Sequence, residues 1–349
     1  MDVDLAPLTG WMDEHGLPPG PIHQEIQLSG GTQNILIRFR KGDGDFVLRR
    51  PPLHLRRASN DVIRREMRVL AALRDTDVAA PRLVAACPDE TVLGGAVFYL
   101  MEYVDGFNPA EAVPPYGADP DARFAMGLAT VDALATLGAV DHVAVGLGDL
   151  GRPDGFLERQ VGRWLSELDS YRELAGYPGP DFPELAGVTA WLEQNRPSGF
   201  RPGIMHGDYH LANLRFAPDQ PRVAAIVDWE MCTIGDPLVD LGWLMATWPV
   251  QSGQSGQGGQ STVDTAGALG SAGNLPSTAQ LVAHYARQSD RDLSQVTWYA
   301  VFACFKLGII LEGTYARAFA GKADRAVGEH LHRVGRGLFA RAEAFRRDQ

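Results

Sequence analysis

The chain has 349 residues, of which 45% are hydrophobic and 21% charged, and it carries a formal net charge of −11. That is the composition of an ordinary globular protein with a large core, and its acidity argues against a general nucleic-acid binder. Three scattered cysteines, Cys87, Cys232 and Cys304, exclude a disulfide framework and a cysteine zinc cluster, which fits a reducing cytoplasm.

The chain opens on "MDVDLAPL", with acids where a signal peptide needs a basic start, so no leader is expected. The first hundred residues read as β-rich. In "EIQLSGGTQNILIRFR", Ile35, Ile37 and Phe39 alternate with Asn34, Leu36 and Arg38, a period-two strand signal. "KGDGD" (41–45) reads as a hairpin turn, and "FVLRR" as the returning strand. "SNDVIRREMRVLAALRD" reads as a helix with Ser59 or Asn60 as N-cap. "PRLVAAC" and "GAVFYLMEYV" supply two more strands, for about five strands and one helix.

After "DGFNP" the pattern becomes helical, over roughly 119–139, 154–174, 183–195, 276–288, 292–319 and 322–346. Short strands near 203–206, 214–217 and 222–227 interrupt it. The longest apolar run, "VTWYAVFACFKLGIIL", is broken by Lys306 and reads as a buried helix rather than a membrane span. Residues 250–276 are rich in Gly, Ser and Gln and nearly lack large apolar groups, so a mobile surface insertion is expected there. The whole reads as α+β: a small β-rich lobe, 1–104, and a mainly helical lobe, 105–349, with a cleft between them.

The stretch "IMHGDYHLANLRF" (204–216) places two histidines, an aspartate and an asparagine in an apolar frame. Two chemistries can use it. His206 and His210, at i and i+4, can share a metal on a helix as in a hydrolase. Against this, Gly207 is a poor helix residue, and the base Glu of a zincin is missing. Alternatively, Asp208 and Asn213 have the D-x-x-x-x-N spacing of a phosphotransferase loop, with Asp208 as base and Asn213 as a Mg²⁺ ligand. "VAAIVDWE" then ends an apolar strand on Asp228, a second oxygen ligand for a hard cation.

The β-rich part adds independent support. Glu66 shares a helix stripe with Val62, Val69 and Leu73, and an acid on an apolar stripe is costly unless paired. "DFVLRR" puts Arg49 on a strand upstream. A strand base paired with a helix Glu is how kinases steady ATP phosphates. Gly30 and Gly31, in "LSGGTQN", suit a turn whose amides approach phosphate.

"HGDYHLAN", "IVDWE" and "GDPLVDLGW" together resemble the aminoglycoside phosphotransferase/choline kinase family, over about residues 24–345. "FVLRRPP" with "WEMCTIGDPLVDLGWLMATW" resembles the branch of kinase-like domains associated with acyl-CoA dehydrogenases. The resemblance implies a bilobal protein-kinase-like fold and phosphoryl transfer from ATP, or GTP, with Mg²⁺, to a small-molecule hydroxyl. Nucleic acid and membrane are not implied as partners. It implies Asp208 as base, Asn213 and Asp228 as metal ligands, and Arg49 with Glu66 at the phosphates. The Glu102 carbonyl and Val104 amide would meet adenine, while His206 shapes the catalytic loop and Asp240 braces it. The family's usual Lys is Arg49 here, a longer, planar group. A nucleotide-binding module with little transfer activity is therefore an alternative, and the His206/His210 hydrolase a further one. For the acceptor, the branch favours a hydroxylated metabolite, such as a hydroxyacyl compound. The broader family favours an aminoglycoside, which the net acidity supports. Trp164, Trp298, Tyr299 and Phe302 are candidate walls for its pocket.

Overall fold

The computed structural model describes residues 3–28, 34–56, 58–249 and 267–347. The chain begins with α1 (Ala6–Glu14), β1 (Ile22–Gln27), β2 (Ile35–Lys41), β3 (Gly44–Arg50), α2 (Ser59–Leu73), β4 (Leu83–Cys87) and β5 (Phe98–Glu102). The five strands make one antiparallel sheet in the order β1-β2-β3-β5-β4. Side-chain alternation sorts its two faces. Ile37, Phe39, Phe46, Leu48, Phe98 and Leu100 pack on one face with Leu8, Trp11 and Met12 of α1. Val47, Arg49, Tyr99 and Met101 take the other, with Arg49 directly opposite Tyr99 in register.

Helix α1 is absent from the sequence expectation, although Leu8, Trp11 and Met12 have helical spacing. It is pinned by Lys41, a fully buried lysine at the end of β2. The Lys41 ammonium donates to the Asp13 carboxylate and, at 2.8 Å, to the Pro18 carbonyl. Helix α2 departs in a smaller way: Ala58, not Ser59 or Asn60, is its N-cap. Asn60 is used elsewhere, donating to Gly95 O (2.9 Å) and accepting from Val97 N (3.2 Å), which ties α2 to the start of β5.

The remaining elements are α3 (Pro120–Ala139), α4 (Phe156–Ser170), α5 (Leu185–Gln194), β6 (Gly203–Met205), β7 (Leu214–Phe216), β8 (Val223–Ile226), β9 (Thr233–Gly235), α6 (Leu238–Thr247), α7 (Gly267–Ala272), α8 (Thr278–Gln288), α9 (Val296–Phe319) and α10 (Arg325–Arg347). Strands β6 and β9 pair, as do β7 and β8, each antiparallel. Strand β9 is additional to those anticipated. Helix α9 is long and apolar enough to cross a membrane by length and composition, but 78% of its apolar window is buried within the protein. Residues 250–266 of the expected insertion lie outside the described residues. Its last part departs from a mobile segment: 267–272 is helical, and Leu269 and Leu275 are buried in the main core. Two leucines and Pro276, whose carbonyl accepts from the Trp248 indole (2.8 Å), anchor a stretch whose overall composition suggested none.

Candidate active site

Strand β6 delivers the chain into residues 206–213. Gly207 has φ +86°, and a Cβ there would lie 2.5 Å from the Met231 carbonyl oxygen, so the position needs glycine and the segment is a loop, not a helix. Asp240, fully buried on α6, accepts from the His206 amide (2.6 Å) and the Gly207 amide (2.9 Å). Burial pushes the Asp240 carboxyl up to about 7, against the pull of those two amides. His206 Nε2 donates to the Val227 carbonyl (2.9 Å), and Nδ1 accepts from the Asp208 amide (3.4 Å). Burial lowers its pKa, keeping the ring neutral. With both ring nitrogens engaged and no helix beneath them, His206 and His210 do not form the shared metal site of the hydrolase alternative.

Asp208 is the hub of the loop. Its Oδ1 accepts from the Trp243 indole (3.0 Å) and lies 3.4 Å from His210 Nε2, while Oδ2 accepts from Asn213 Nδ2 (3.0 Å). Burial alone would raise its pKa, but His210, His206 and Lys306 outweigh that and hold the carboxyl well below the usual range. Asn213 Nδ2 also donates to the Asp208 carbonyl (2.9 Å), which commits its nitrogen and leaves its oxygen as an acceptor. Asp228 follows β8 in the left-handed region (φ +67°, ψ +66°), a strained setting for a non-glycine residue. The Val227 amide donates to the Asn213 carbonyl (2.9 Å), so the loops carrying Asn213 and Asp228 lie side by side.

From the sheet, Arg49 reaches both Glu66 and Asp228. Its Nε lies 2.6 Å from Glu66 Oε2, and its Nη2 donates to Glu66 Oε1 (3.0 Å) and Asp228 Oδ1 (2.6 Å). Burial works against the guanidinium's charge, but Tyr99, Glu66 and Asp228 together hold its pKa above the ordinary value. Burial pushes the Glu66 carboxyl upward, and Arg49 and the Tyr99 hydroxyl, donating at 2.7 Å, pull the other way. Sequence reasoning missed Tyr99, Trp243 and Glu230. Glu230 lies 3.8 Å from Arg49 and accepts from Asn34 (3.2 Å). Burial pushes it up to about 7, with Asp228 adding to the rise. The strand pairing of Arg49 and a polar residue two positions beyond Asp228 were the available signals.

Two cavities meet these residues. One, of about 250 Å³, lies between the sheet and β8, lined by Leu36, Val47, Tyr99 and Met101 together with Arg49 and Asp228. Glu102 and Val104 lie at its edge. The Tyr103 amide donates to Asp45 O (3.2 Å), whereas the Val104 amide has no protein acceptor among the described residues. Gly30 and Gly31 lie outside the described residues. The second cavity, about 670 Å³, abuts Gly207 and Glu230 and has Trp164, Phe302 and Lys306 in its wall. Of the four expected aromatics, Trp298 and Tyr299 are not there. Trp298 is in the core, donating to Leu192 O (2.8 Å), and Tyr299 donates to Asp236 (2.5 Å).

An antiparallel sheet with a buried Arg–Glu pair, set over a helical region presenting Asp, Asn and Asp from adjoining loops, defines a kinase-like phosphotransferase. The chain belongs to the phosphotransferase enzyme family, whose profile matches residues 25–268. Among solved structures, a candidate aminoglycoside phosphotransferase from Ralstonia eutropha JMP134 is 30% identical, with a TM-score of 0.76 over 98% of this chain and 99% of that one. Aminoglycoside 2'-phosphotransferase-IIIa, solved as its GDP complex, shares the fold at 17% identity, with a TM-score of 0.60 over 95% and 97% of the two chains. Mouse acyl-CoA dehydrogenase family member 10 is 28% identical over 97% of this chain and 31% of its own length. Human acyl-CoA dehydrogenase family member 11 is 31% identical over 84% of this chain and 36% of its own. The chain spans about a third of the length of these curated relatives.

Proposed function

We propose that this chain moves the γ-phosphoryl group of ATP or GTP to a hydroxyl of a small metabolite, with Asp208 at the hydroxyl and Asn213 and Asp228 as Mg²⁺ ligands. The observation that carries the reading is that the Asp208–Asn213 pair and the Arg49–Asp228 pair are held side by side by the Val227 amide on the Asn213 carbonyl, with Arg49 and Asp228 lining one cavity and Gly207, next to Asp208, lining the other. The apolar cavity takes the base, with Glu102 and Val104 at the hinge, and residues 1–104 and 105–349 act as the two lobes. Gly30 and Gly31 belong to the loop assigned to the phosphates. A reducing, cytoplasmic setting is part of the reading, and the three cysteines are free and buried.

The residues fit a hard divalent cation. Asn213 has an amide oxygen left over once its nitrogen is committed, and Asp228 adds a carboxylate, the donor types Mg²⁺ takes alongside phosphate oxygens. Bound there, Mg²⁺ would neutralise charge on the phosphates. The other roles fall to the chain itself. Arg49, fixed by Glu66, turns its Nη2 from Asp228 to a phosphate oxygen as nucleotide enters. Asp208 accepts the hydrogen bond of the acceptor hydroxyl and orients its oxygen toward the γ-phosphorus. Because Asp208 holds a proton poorly, orientation comes first, and the proton passes to it only as the oxygen gains its bond to phosphorus.

The stretch from Asp228 to α6 leaves no long loop to lay out a peptide, which supports a small acceptor. Several relatives named for acyl-CoA chemistry favour a hydroxylated metabolite such as a hydroxyacyl compound over an aminoglycoside. The test is nucleotide consumption across hydroxyacyl-CoAs, sugars, choline and aminoglycosides, with wild type and Asp228→Ala. The variant should lose Mg²⁺-dependent turnover, and unchanged turnover would remove the metal assignment. Binding without turnover of any acceptor would favour the nucleotide-binding module instead.

A further inference from the structure

We propose that the acceptor is an anion, its phosphate or carboxylate seated among Arg65, Arg152, Arg159, Arg163 and Lys306 in the cavity beside Gly207. This rests on the phosphotransfer reading above and names its substrate class.

The cavity of about 670 Å³ is lined by these five cations against one carboxylate, Glu230, which is turned to Arg49 and Asn34. The cations come from separate elements: Arg65 from α2, Arg159 and Arg163 from α4, Arg152 from the preceding loop and Lys306 from α9. Their hydrogen bonds go to carbonyls. Arg65 donates to Cys232 O (2.8 Å), Arg159 to Arg152 O (2.7 Å) and Lys306 to Gly207 O (3.4 Å). Arg163 lies over the Trp164 ring, 5.4 Å from its centroid. None of the five forms an ion pair among the described residues. Other arginines of the same chain do: Arg64 with Glu90, Arg68 with Asp149, Arg201 with Asp290 and Arg336 with Asp181. The chain holds 43 acidic against 32 basic residues, yet this cavity gathers five cations and one carboxylate.

Arg159 and Arg163 also sit at i and i+4 on one helix, where like charges repel. Lys306 is only 8% exposed, 4.4 Å from the centroid of the Trp243 ring, and Trp243 in turn donates to Asp208. A buried ammonium that has a carbonyl and a ring but no carboxylate in ion-pair contact is costly. An anion in the cavity relieves both conditions. Guanidinium forks match phosphate and carboxylate oxygens, and a cleft of one sign draws the opposite ion. A polyamine sugar would instead set its ammonium groups against five cations. The acidity of the chain as a whole, which favoured a cationic acceptor, is reversed at this site.

The test compares wild type with the triple variant Arg152→Gln, Arg159→Gln and Arg163→Gln, all exposed positions. Inorganic phosphate is titrated by calorimetry with Mg·AMPPNP saturating the nucleotide site. The expected result is phosphate binding to wild type that weakens at least tenfold in the variant. In parallel, nucleotide consumption is measured with glucose, gluconate, glucose 6-phosphate and kanamycin, where preference between gluconate and glucose 6-phosphate tells a carboxylate from a phosphate. Phosphate that binds both proteins equally, or fails to bind wild type, overturns the proposal, as does kanamycin turned over ahead of every anion. Failure of Mg·AMPPNP to bind would sink the phosphotransfer reading on its own, and the phosphate titration would still decide the charge of the cavity's ligand.

Discussion

Asp208 has a weak affinity for protons and a fixed orientation, and the two have the same origin. Trp243 and Asn213 donate to its oxygens while three nearby basic groups favour its charged form. Asp208→Asn keeps the shape and removes the charge, so kcat should fall by about 10²-fold or more while nucleotide affinity holds; a variant of full rate would remove Asp208 from the chemistry. Tyr99 gives a stability test of the buried pair. Tyr99→Phe strips the fully buried Glu66 of one donor, and should cost roughly 1.5–3 kcal/mol in urea unfolding. A loss near zero would mean that Arg49 alone satisfies Glu66. The roles proposed for Asp208, Asn213 and Asp228 rest on spacing along the chain, which a sequence carries on its face. Tyr99 and Trp243 were not legible, since each meets its partner across more than thirty residues and resembles an ordinary core aromatic.

At the scale of elements, α9 and α6 converge on the loop 206–213. Helix α6 sends Asp240 to two loop amides, and α9 sends Lys306 to the Gly207 carbonyl. Burial pushes the Lys306 ammonium down to about 8, with Asp240 and Asp208 pulling the other way. An anionic acceptor should therefore show a rising KM as pH passes upward through about 8, and Lys306→Met should raise KM at neutral pH and flatten that rise. The sign for stability is opposite. Between about 8 and the unfolded lysine value near 10.4, the unfolded chain holds a proton that the folded one gives up, so this group adds stability as pH rises there. Below about 8 it disfavours the fold, and Lys306→Met should unfold no earlier than wild type at pH 7. A variant with unchanged KM and pH profile would leave Lys306 a packing residue. Long helices were legible because their apolar periodicity runs over many turns. Helix α1 and strand β9 were not, being only 9 and 3 residues long, and Lys306 read as a mere interruption of an apolar run. That interruption was the signal: a lysine kept in the core of a helix has something to hold.

Across the whole molecule, the sheet and the helical region share one core, running from Val47 through Met67 and Trp243 to Ala342. Arg49 and Asp228 bridge them a second time with a charged contact at 2.6 Å. The bilobal plan was legible from the change of period near residue 105, whereas the continuity of the core was not, because it depends on which faces meet. Continuity has a thermodynamic consequence. Elements that bury one another's apolar surface lose it together, so heat should unfold the chain in one transition rather than one per lobe. Ligand bound between them should then shift that whole transition. At 100 times its Kd, Mg·AMPPNP adds about 2.7 kcal/mol to the folded state if it binds that state alone. The measurement is calorimetric unfolding with and without Mg·AMPPNP, on wild type and on Asp228→Ala. Wild type should show one peak that moves upward with ligand, and Asp228→Ala one peak that scarcely moves with it. Two peaks in wild type, only one of them shifted, would mean that the lobes fold separately and that the shared core does not couple them.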